Sequence, residues 1–458
     1  MMMIPPSRQS HGMPGLLFLL LAATVKAQTT LSIHGSGTTN PAQCYWSVME
    51  KMETRAKIPV QMTYRAIGSS SGQAEFSESD PIVSHFGSGD IPLRMDRYQD
   101  LSAAETVLQL PVFVGAVSFY HSLPNTPALN LTACALARIF TGEITSWVDN
   151  DIKELNPNLD VSGDVPVRVA RRVDGSGSTS LVTNYLAAAC PDVWSVNNVG
   201  SMVAWHDSSL ECQGSGGMVD CIEEEPGTIG YLAVGQGRSA GLVEVAVENS
   251  FGTRLTSIQS QARGGIAGAA DTIGLLPSSA ADDFSSVSLL NQPGEFTWPM
   301  AALTYIYVRQ DLTSFLDNPQ DQALLKAFLE ALYRDDYVEQ CVENYAFVKV
   351  DGAALRLAND AIDSLIMDPS ATPFTFETFT DLVDGMGDYV FSIKRKSGTE
   401  VEIEALTRAD DHLLELLERQ NARIALLESM LEETVAAINK KEQFEKEKGF
   451  RGSKTEYP

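Results

Sequence analysis

With 458 residues, 44% of them hydrophobic and 20% charged, the chain has an ordinary globular composition and can bury cores for two or three units. Its formal charge of −26 argues strongly against nucleic acid as a partner, and also against anionic membranes. Any anion must therefore be caught locally, against the field of the whole molecule.

Residues 1–27 read as a secretory signal peptide: Arg8 precedes an apolar run at 16–23, and Val25-Lys26-Ala27 fits a small-residue cleavage pattern. The run is far short of the roughly 20 residues that a spanning helix needs, so cleavage is expected rather than anchoring. No later segment has the length and apolarity to cross a bilayer, and Lys454-Thr455-Glu456-Tyr457-Pro458 is not a retention signal. The expected location is secreted, extracellular or in the secretory-pathway lumen.

Strand-like runs at 60–64, 107–117, 165–170 and 302–308 alternate with helix-like runs at 41–56, 136–140, 179–189 and 322–343. This alternation predicts an α/β fold with doubly wound sheets. Three Gly/Ser turns lie where a strand-like run gives way to a helix-like one. They are Gly35-Ser36-Gly37-Thr38-Thr39-Asn40-Pro41, Gly68-Ser69-Ser70-Ser71-Gly72 and Arg171-Arg172-Val173-Asp174-Gly175-Ser176-Gly177-Ser178-Thr179. A single such turn is ordinarily a helix cap. Three in one chain, one of them carrying Arg-x-Asp, point to a tetrahedral anion held by converging helix N-termini.

Beyond about residue 398 the pattern changes to heptads. Ile403, Leu417, Ile424, Leu431 and Ile438 share one core position, and Leu406, Leu413 and Leu427 the other, with Asp410, Gln420 and Thr434 interrupting the seam. A coiled coil over 399–440 is expected, hence a homo-oligomer, with a folded-back amphipathic helix as the alternative. Residues 441–458 read as a polar, disordered tail.

Cys44, Cys134, Cys190, Cys212, Cys221 and Cys341 are an even set in a chain bound for an oxidising compartment, which favours disulfides. Cys212 and Cys221 flank the Gly-rich stretch 214–217 and are the first candidate pair. Zinc spacing is absent, so no metal is expected, and no cofactor. Asn130-Leu131-Thr132 is a glycosylation sequon.

Two readings compete on function. Gly68-Ser69-Ser70-Ser71-Gly72 satisfies G-x-S-x-G, so Ser70 could serve a secreted serine hydrolase, but no histidine stands in a supporting motif. The chain could instead be a coiled-coil scaffold that retains vestigial binding lobes.

The order of the motifs resembles the phosphate-binding component of bacterial Pst-type ABC importers, a periplasmic binding protein of type II with two α/β lobes around a cleft. The resembling pieces are 35–42, 64–72, Phe86-Gly87-Ser88-Gly89-Asp90-Ile91-Pro92-Leu93, 136–147, 171–185, 227–231 and Trp298-Pro299, so the likeness spans about 31–350. It implies a first lobe from 28–112 and 298–385, a second lobe from 113–297, and chain crossings near 110–114 and 296–299. It also implies that Cys44 and Cys341 share a lobe, a second candidate disulfide.

Carried over by position, the resemblance places Thr39, Asn40, Ser69, Ser176, Gly177 and Ser178 in the anion cradles. Asn40 departs from the family's usual aromatic residue there, and Ser178 replaces its usual Thr. Arg172 is the expected cation, Asp174 its orienting partner, and Asp90 the acceptor for a proton on the ligand. Phosphate at neutral pH carries an O–H that needs such an acceptor, whereas sulfate carries none, so the implied ligand is inorganic phosphate and the implied role is binding rather than catalysis. The resemblance does not say which transporter or receptor, if any, takes part.

Overall fold

The computed structural model describes residues 30–376 apart from 79–80, 127, 160, 162, 164 and 272–275. The expected signal peptide, coiled coil and tail lie outside the described residues.

The described residues begin with three strand–helix units: β1 (Leu31–Gly37), α1 (Ala42–Arg55), β2 (Val60–Ala66), α2 (Ser69–Ser77), β3 (Phe86–Gly89) and α3 (Met95–Ser102). β1 lies between β2 and β3, parallel to both. Parallel strands need crossovers, and α1 and α2 supply them. The next strand, β4 (Val107–His121), is buried along all 15 residues, in keeping with a sequence that is apolar apart from Gln109, Ser118 and His121.

The chain continues through β5 (Leu129–Leu131), α4 (Ala133–Phe140), α5 (Asn150–Leu155), β6 (Arg168–Arg172), α6 (Gly177–Ala189), β7 (Leu210–Cys212), α7 (Gly214–Glu224), β8 (Thr228–Ala233), α8 (Val234–Ser239) and β9 (Val243–Glu248). Then come β10 (Arg254–Leu255), α9 (Ser257–Gln261), α10 (Gly265–Asp271), β11 (Ala301–Arg309), α11 (Pro319–Ala331), α12 (Asp335–Asn344), β12 (Val348–Lys349) and α13 (Gly352–Asp363).

The strands run in the order β2-β1-β3-β11-β4-β8-β6-β7. β4 is shared by two halves: its residues 107–116 pair with β11, and 117–121 with β8. At the handover the indole of Trp298 donates to the Val117 carbonyl at 2.9 Å, and Val117 N–H to the Met300 carbonyl at 3.0 Å. The α/β expectation therefore resolves into two lobes joined through β4 and β11. Pro111 sits inside β4, where the register with β11 slips between Thr304 and Tyr305. A residue without an N–H is tolerated in a central strand at such a bulge.

Several predicted boundaries move. The single helix expected over 322–343 is two, α11 and α12. Asp335 and Asp336 favour a new helix start, and the Tyr333 hydroxyl between the helices donates to the Pro111 carbonyl at 2.9 Å. α6 begins two residues before the predicted start because the Ser176 side chain accepts from Thr179 N–H and caps it, and α4 begins earlier because Thr132 caps it in the same way. The strand expected over 165–170 lies instead at Arg168–Arg172.

All six cysteines are paired, as Cys44–Cys341, Cys134–Cys190 and Cys212–Cys221. The two pairings singled out from the sequence and from the family resemblance are both present.

Candidate functional site

Four loops that leave the C-terminal ends of parallel strands meet between the lobes, the usual place for a ligand in open α/β sheets. From the first lobe come the β1–α1 turn, the β2–α2 turn and the end of β3. From the second comes the β6–α6 turn.

Asp90 follows β3 and is mostly buried. Its Oδ2 accepts from the Thr38 hydroxyl, and its Oδ1 accepts from the Thr304 hydroxyl at 2.8 Å and from the Asn40 amide at 3.5 Å. Its backbone N–H donates to the Ser69 hydroxyl at 3.2 Å. Burial raises the Asp90 pKa above the ordinary carboxylate range, and the Thr38, Thr304 and Asn40 hydrogen bonds and the Arg172 charge offset this only in part. The carboxylate is thus held among neutral donors, with its nearest cation across the cleft.

Arg172 closes β6, and its side chain is only 3% exposed. Nε donates to Asp174 Oδ1 at 3.0 Å, and Nη2 pairs with Oδ2. Burial by itself would raise Asp174, but the hydrogen bond and charge of Arg172, with the Gly214 N–H, outweigh it and hold that carboxyl below its ordinary range. The Arg172 backbone N–H donates to the Tyr231 hydroxyl at 3.2 Å, which also meets the Thr179 hydroxyl at 2.7 Å. Burial pushes Tyr231 up to about 12, so it stays neutral there.

The helix starts complete the arrangement. Pro41 precedes α1 and Gly68 precedes α2 as N-cap residues, and neither helix has a side-chain cap. Apart from the Ser70 N–H, which the Gly175 carbonyl accepts across the lobe boundary, their first N–H groups carry the partial positive charge that attracts an anion. Gly68 has φ +92°, and a Cβ there would come within 2.9 Å of Asp174 Oδ2, so glycine lets the first lobe approach the Arg172–Asp174 pair. A Cβ at Gly177 would meet Ser69 Oγ at 2.8 Å and the Asp90 Cβ at 2.9 Å, which brings the start of α6 against both first-lobe residues. Ser69, Ser176 and Ser178 are buried at this junction. A cavity of about 220 Å³ adjoins it, lined in part by Asp90, Ser180, Asn184 and Tyr305.

Of the residues expected from the sequence, Asn40, Ser69, Asp90 and Gly177 come together, with Arg172 and Asp174 facing them from the second lobe. Thr39 is placed differently: its hydroxyl meets Ser215 Oγ at 2.7 Å. Its neighbour Thr38 bonds Asp90 instead. Thr38 stood in the quoted motif and the choice between adjacent threonines had no sequence signal. Thr304 left none either, since it lies in β11, 214 positions from Asp90.

The G-x-S-x-G match is the first turn of α2. Ser70 Oγ donates to Ser201 Oγ at 2.7 Å, and its backbone N–H to the Gly175 carbonyl at 3.3 Å, both across the lobe boundary. The described histidines are engaged elsewhere: His34 with Thr63, His85 with the His34 backbone, His121 with Leu123 and His206 with Ser208. None is placed to activate Ser70. No group of three or more metal-ligating side chains occurs among the described residues.

Relatives with curated descriptions include the phosphate-binding protein PstS of Haemophilus influenzae, 26% identical over 322 residues that cover 68% of this chain and 87% of the relative. The PstS of Pasteurella multocida is 28% identical over 304 residues, covering 64% and 80%. Among solved structures, a phosphate-binding protein from Stenotrophomonas maltophilia superposes with a TM-score of 0.55 at 16% identity, covering 72% of this chain and 93% of that one. A human phosphate-binding apolipoprotein does so with 0.57 at 16% identity and the same coverage. These likenesses show the fold. The PBP superfamily domain matches residues 22–336, well over half of the sequence, and the chain belongs to that superfamily.

Proposed function

We propose that the chain is a secreted binding protein for inorganic phosphate, held between the lobes by Asn40, Ser69, Asp90, Arg172, Gly177 and Ser178, by backbone N–H groups at Thr39 and Ser176, and by Asp174 through Arg172. The observation that carries this reading is a largely buried acceptor carboxylate, Asp90, opposite a buried guanidinium and beside uncapped helix starts. A ligand with both negative charge and an O–H satisfies the two halves together, and phosphate has both whereas sulfate lacks the proton. Both PstS relatives are described as phosphate-binding, which supports the same ligand.

The chemistry is binding without bond cleavage. Three disulfides and the signal-peptide pattern support passage through an oxidising compartment. A glycan at Asn130 would have to be added before folding, because its amide donates to Asn156 Oδ1 at 3.3 Å in β5.

Titration calorimetry with phosphate, arsenate and sulfate tests the ligand: phosphate should bind in preference to sulfate, and equal affinities would defeat the proposal. The heptads over 399–440 carry self-association in this reading. Truncation after about residue 395 should give monomers by light scattering with unchanged phosphate affinity. A monomeric full-length chain would leave the folded-back helix.

A further inference from the structure

The pair Cys212–Cys221 lies at the second-lobe wall of the candidate site rather than in a remote core. β7 runs parallel to β6 with Cys212 opposite Arg172, and Val173 N–H donates to the Cys212 carbonyl at 3.1 Å. Immediately afterwards α7 opens with Gly214-Ser215-Gly216-Gly217, and its N-cap residue Gln213 makes no side-chain cap. Glycine is the weakest helix former after proline, so this first turn has little stability of its own.

The same turn makes two contacts that matter to the site. Gly214 N–H donates to Asp174 Oδ1 at 2.9 Å, the oxygen that also accepts from Arg172 Nε. The Ser215 hydroxyl meets Thr39 Oγ1 at 2.7 Å, so a second-lobe helix reaches the first-lobe cradle. Gln236 of α8 adds a bond to the Thr39 carbonyl at 3.0 Å. The disulfide ties the third turn of α7 to β7 and closes a ring around the glycine-rich start.

We propose that this disulfide-closed β7–α7 ring is a positioning device for the anion site: it fixes Asp174, and through it Arg172, while Ser215 latches the ring to Thr39 when the lobes are closed. The proposal rests on the phosphate reading above. Asp174, Ser215 and the two cysteines are positioning residues here and need not touch the ligand. Without the ring the Gly-rich turn would fray, leaving Asp174 one donor short and the lobes without one crossing bond. The closed, ligand-competent arrangement would then be less populated and apparent affinity would fall with it.

The test uses the full mature chain stripped of anions, with inorganic phosphate as the probe. Replacing both cysteines (C212S/C221S) should weaken phosphate binding about tenfold or more, and Ser215→Ala about three- to tenfold, the size of one net hydrogen bond. Ser215→Thr, which keeps the hydroxyl, should restore near-native affinity. In an Asp174→Asn background the cysteine replacement should cost less affinity than in the wild type, because both act on one network. A purely structural ring would lower thermal stability and leave affinity and the coupling unchanged, and that result would overturn the proposal. If the cysteine variant fails to fold, unchanged affinity in Ser215→Ala overturns it instead. A wild-type chain that binds no phosphate would fell the ligand reading itself, whereas wild-type binding with unaltered variants would fell this inference alone.

Discussion

Arg309 and Arg172 are both withdrawn from solvent, with side chains 1% and 3% exposed, and both sit at the end of a strand beside a carboxylate. Their surroundings otherwise differ. Arg309 donates from Nε to Glu105 at 2.7 Å and from Nη2 to the Phe76 and Glu78 carbonyls at 2.8 and 3.2 Å, and its guanidinium lies 4.7 Å from the Phe76 ring centre. Arg172 donates from Nε and Nη2 to Asp174 alone, and its Nη1 has no hydrogen-bond partner among the described residues. Arg309 also leaves its Nη1 buried and without a hydrogen-bond partner, but every group it meets belongs to its own lobe, whereas Arg172 stands at the boundary between lobes. Burial and ion pairing do not distinguish a structural arginine from a binding one. Position at the lobe boundary does: Arg172 approaches Gly68 and acts on the Asp90 charge of the opposite lobe.

This contrast predicts where each truncation is felt. Arg309→Ala should have the largest effect, on folding: it leaves Glu105 and two carbonyls short of donors, and breaking a buried pair costs about 3–5 kcal/mol. Urea denaturation should show that loss. Arg172→Ala should instead fold, because water entering the cleft can solvate Asp174, and should lose on the order of 2–5 kcal/mol of phosphate binding, the range for truncating one partner of a buried charge pair. Normal phosphate affinity in that variant would make the Arg-x-Asp turn a simple cap. A global unfolding as severe as that of Arg309→Ala would erase the distinction between the two sites.

Asp90 sharpens the comparison from the first lobe, since it is a carboxylate without a local cation. Asn at this position keeps the shape but replaces an acceptor by a donor amid Thr38, Thr304 and Asn40, a change of about 1–3 kcal/mol when a buried group is left unmatched. Asp90→Asn should weaken phosphate binding and narrow the preference over sulfate, both read by calorimetry. The pH dependence has a definite sign. Burial raises the Asp90 pKa, so the folded protein holds this proton to higher pH than the unfolded chain does. The acceptor is therefore lost as pH falls through that raised value, beginning above the usual carboxylate range. The affinity ratio of wild type to Asp90→Asn should shrink over that interval, and a ratio independent of pH would show that Asp90 does not receive a ligand proton.

Much of this division was legible in the sequence. Strand–helix alternation predicts the α/β class, and the three Gly/Ser turns mark the loops that meet at the lobe boundary, because turn chemistry and helix starts are local. What stayed hidden depends on tertiary placement. Nothing local separates Thr38 from Thr39, and only the β1–α1 turn decides which hydroxyl reaches Asp90 and which reaches Ser215. Ser201 lies in a loop and Ser215 in the glycine-rich first turn of α7, and nothing local to either shows that it meets the opposite lobe. The helix break at 332–334 was similarly out of reach, since the hydroxyl of Tyr333 is drawn to a carbonyl 222 positions away.

Thr304 carries the smallest predicted effect, and it tests whether the acceptor is tuned by its neutral donors. It is fully buried in β11, and its hydroxyl donates to Asp90 Oδ1 at 2.8 Å. Thr304→Val preserves the branched shape and removes that donor, so packing changes little. A net hydrogen bond to a charged group is worth about 1.5–3 kcal/mol, but the Asn40 amide already shares Oδ1, so the lower part of that range is expected. Losing a donor that favours the ionised form should raise the Asp90 pKa further. The loss of phosphate affinity on acidification should then begin at higher pH in Thr304→Val than in wild type, while binding at alkaline pH stays close to native. A profile displaced the other way, or not at all, would mean that Thr304 only packs, and that the acceptor is set by Thr38 and by the charge across the cleft.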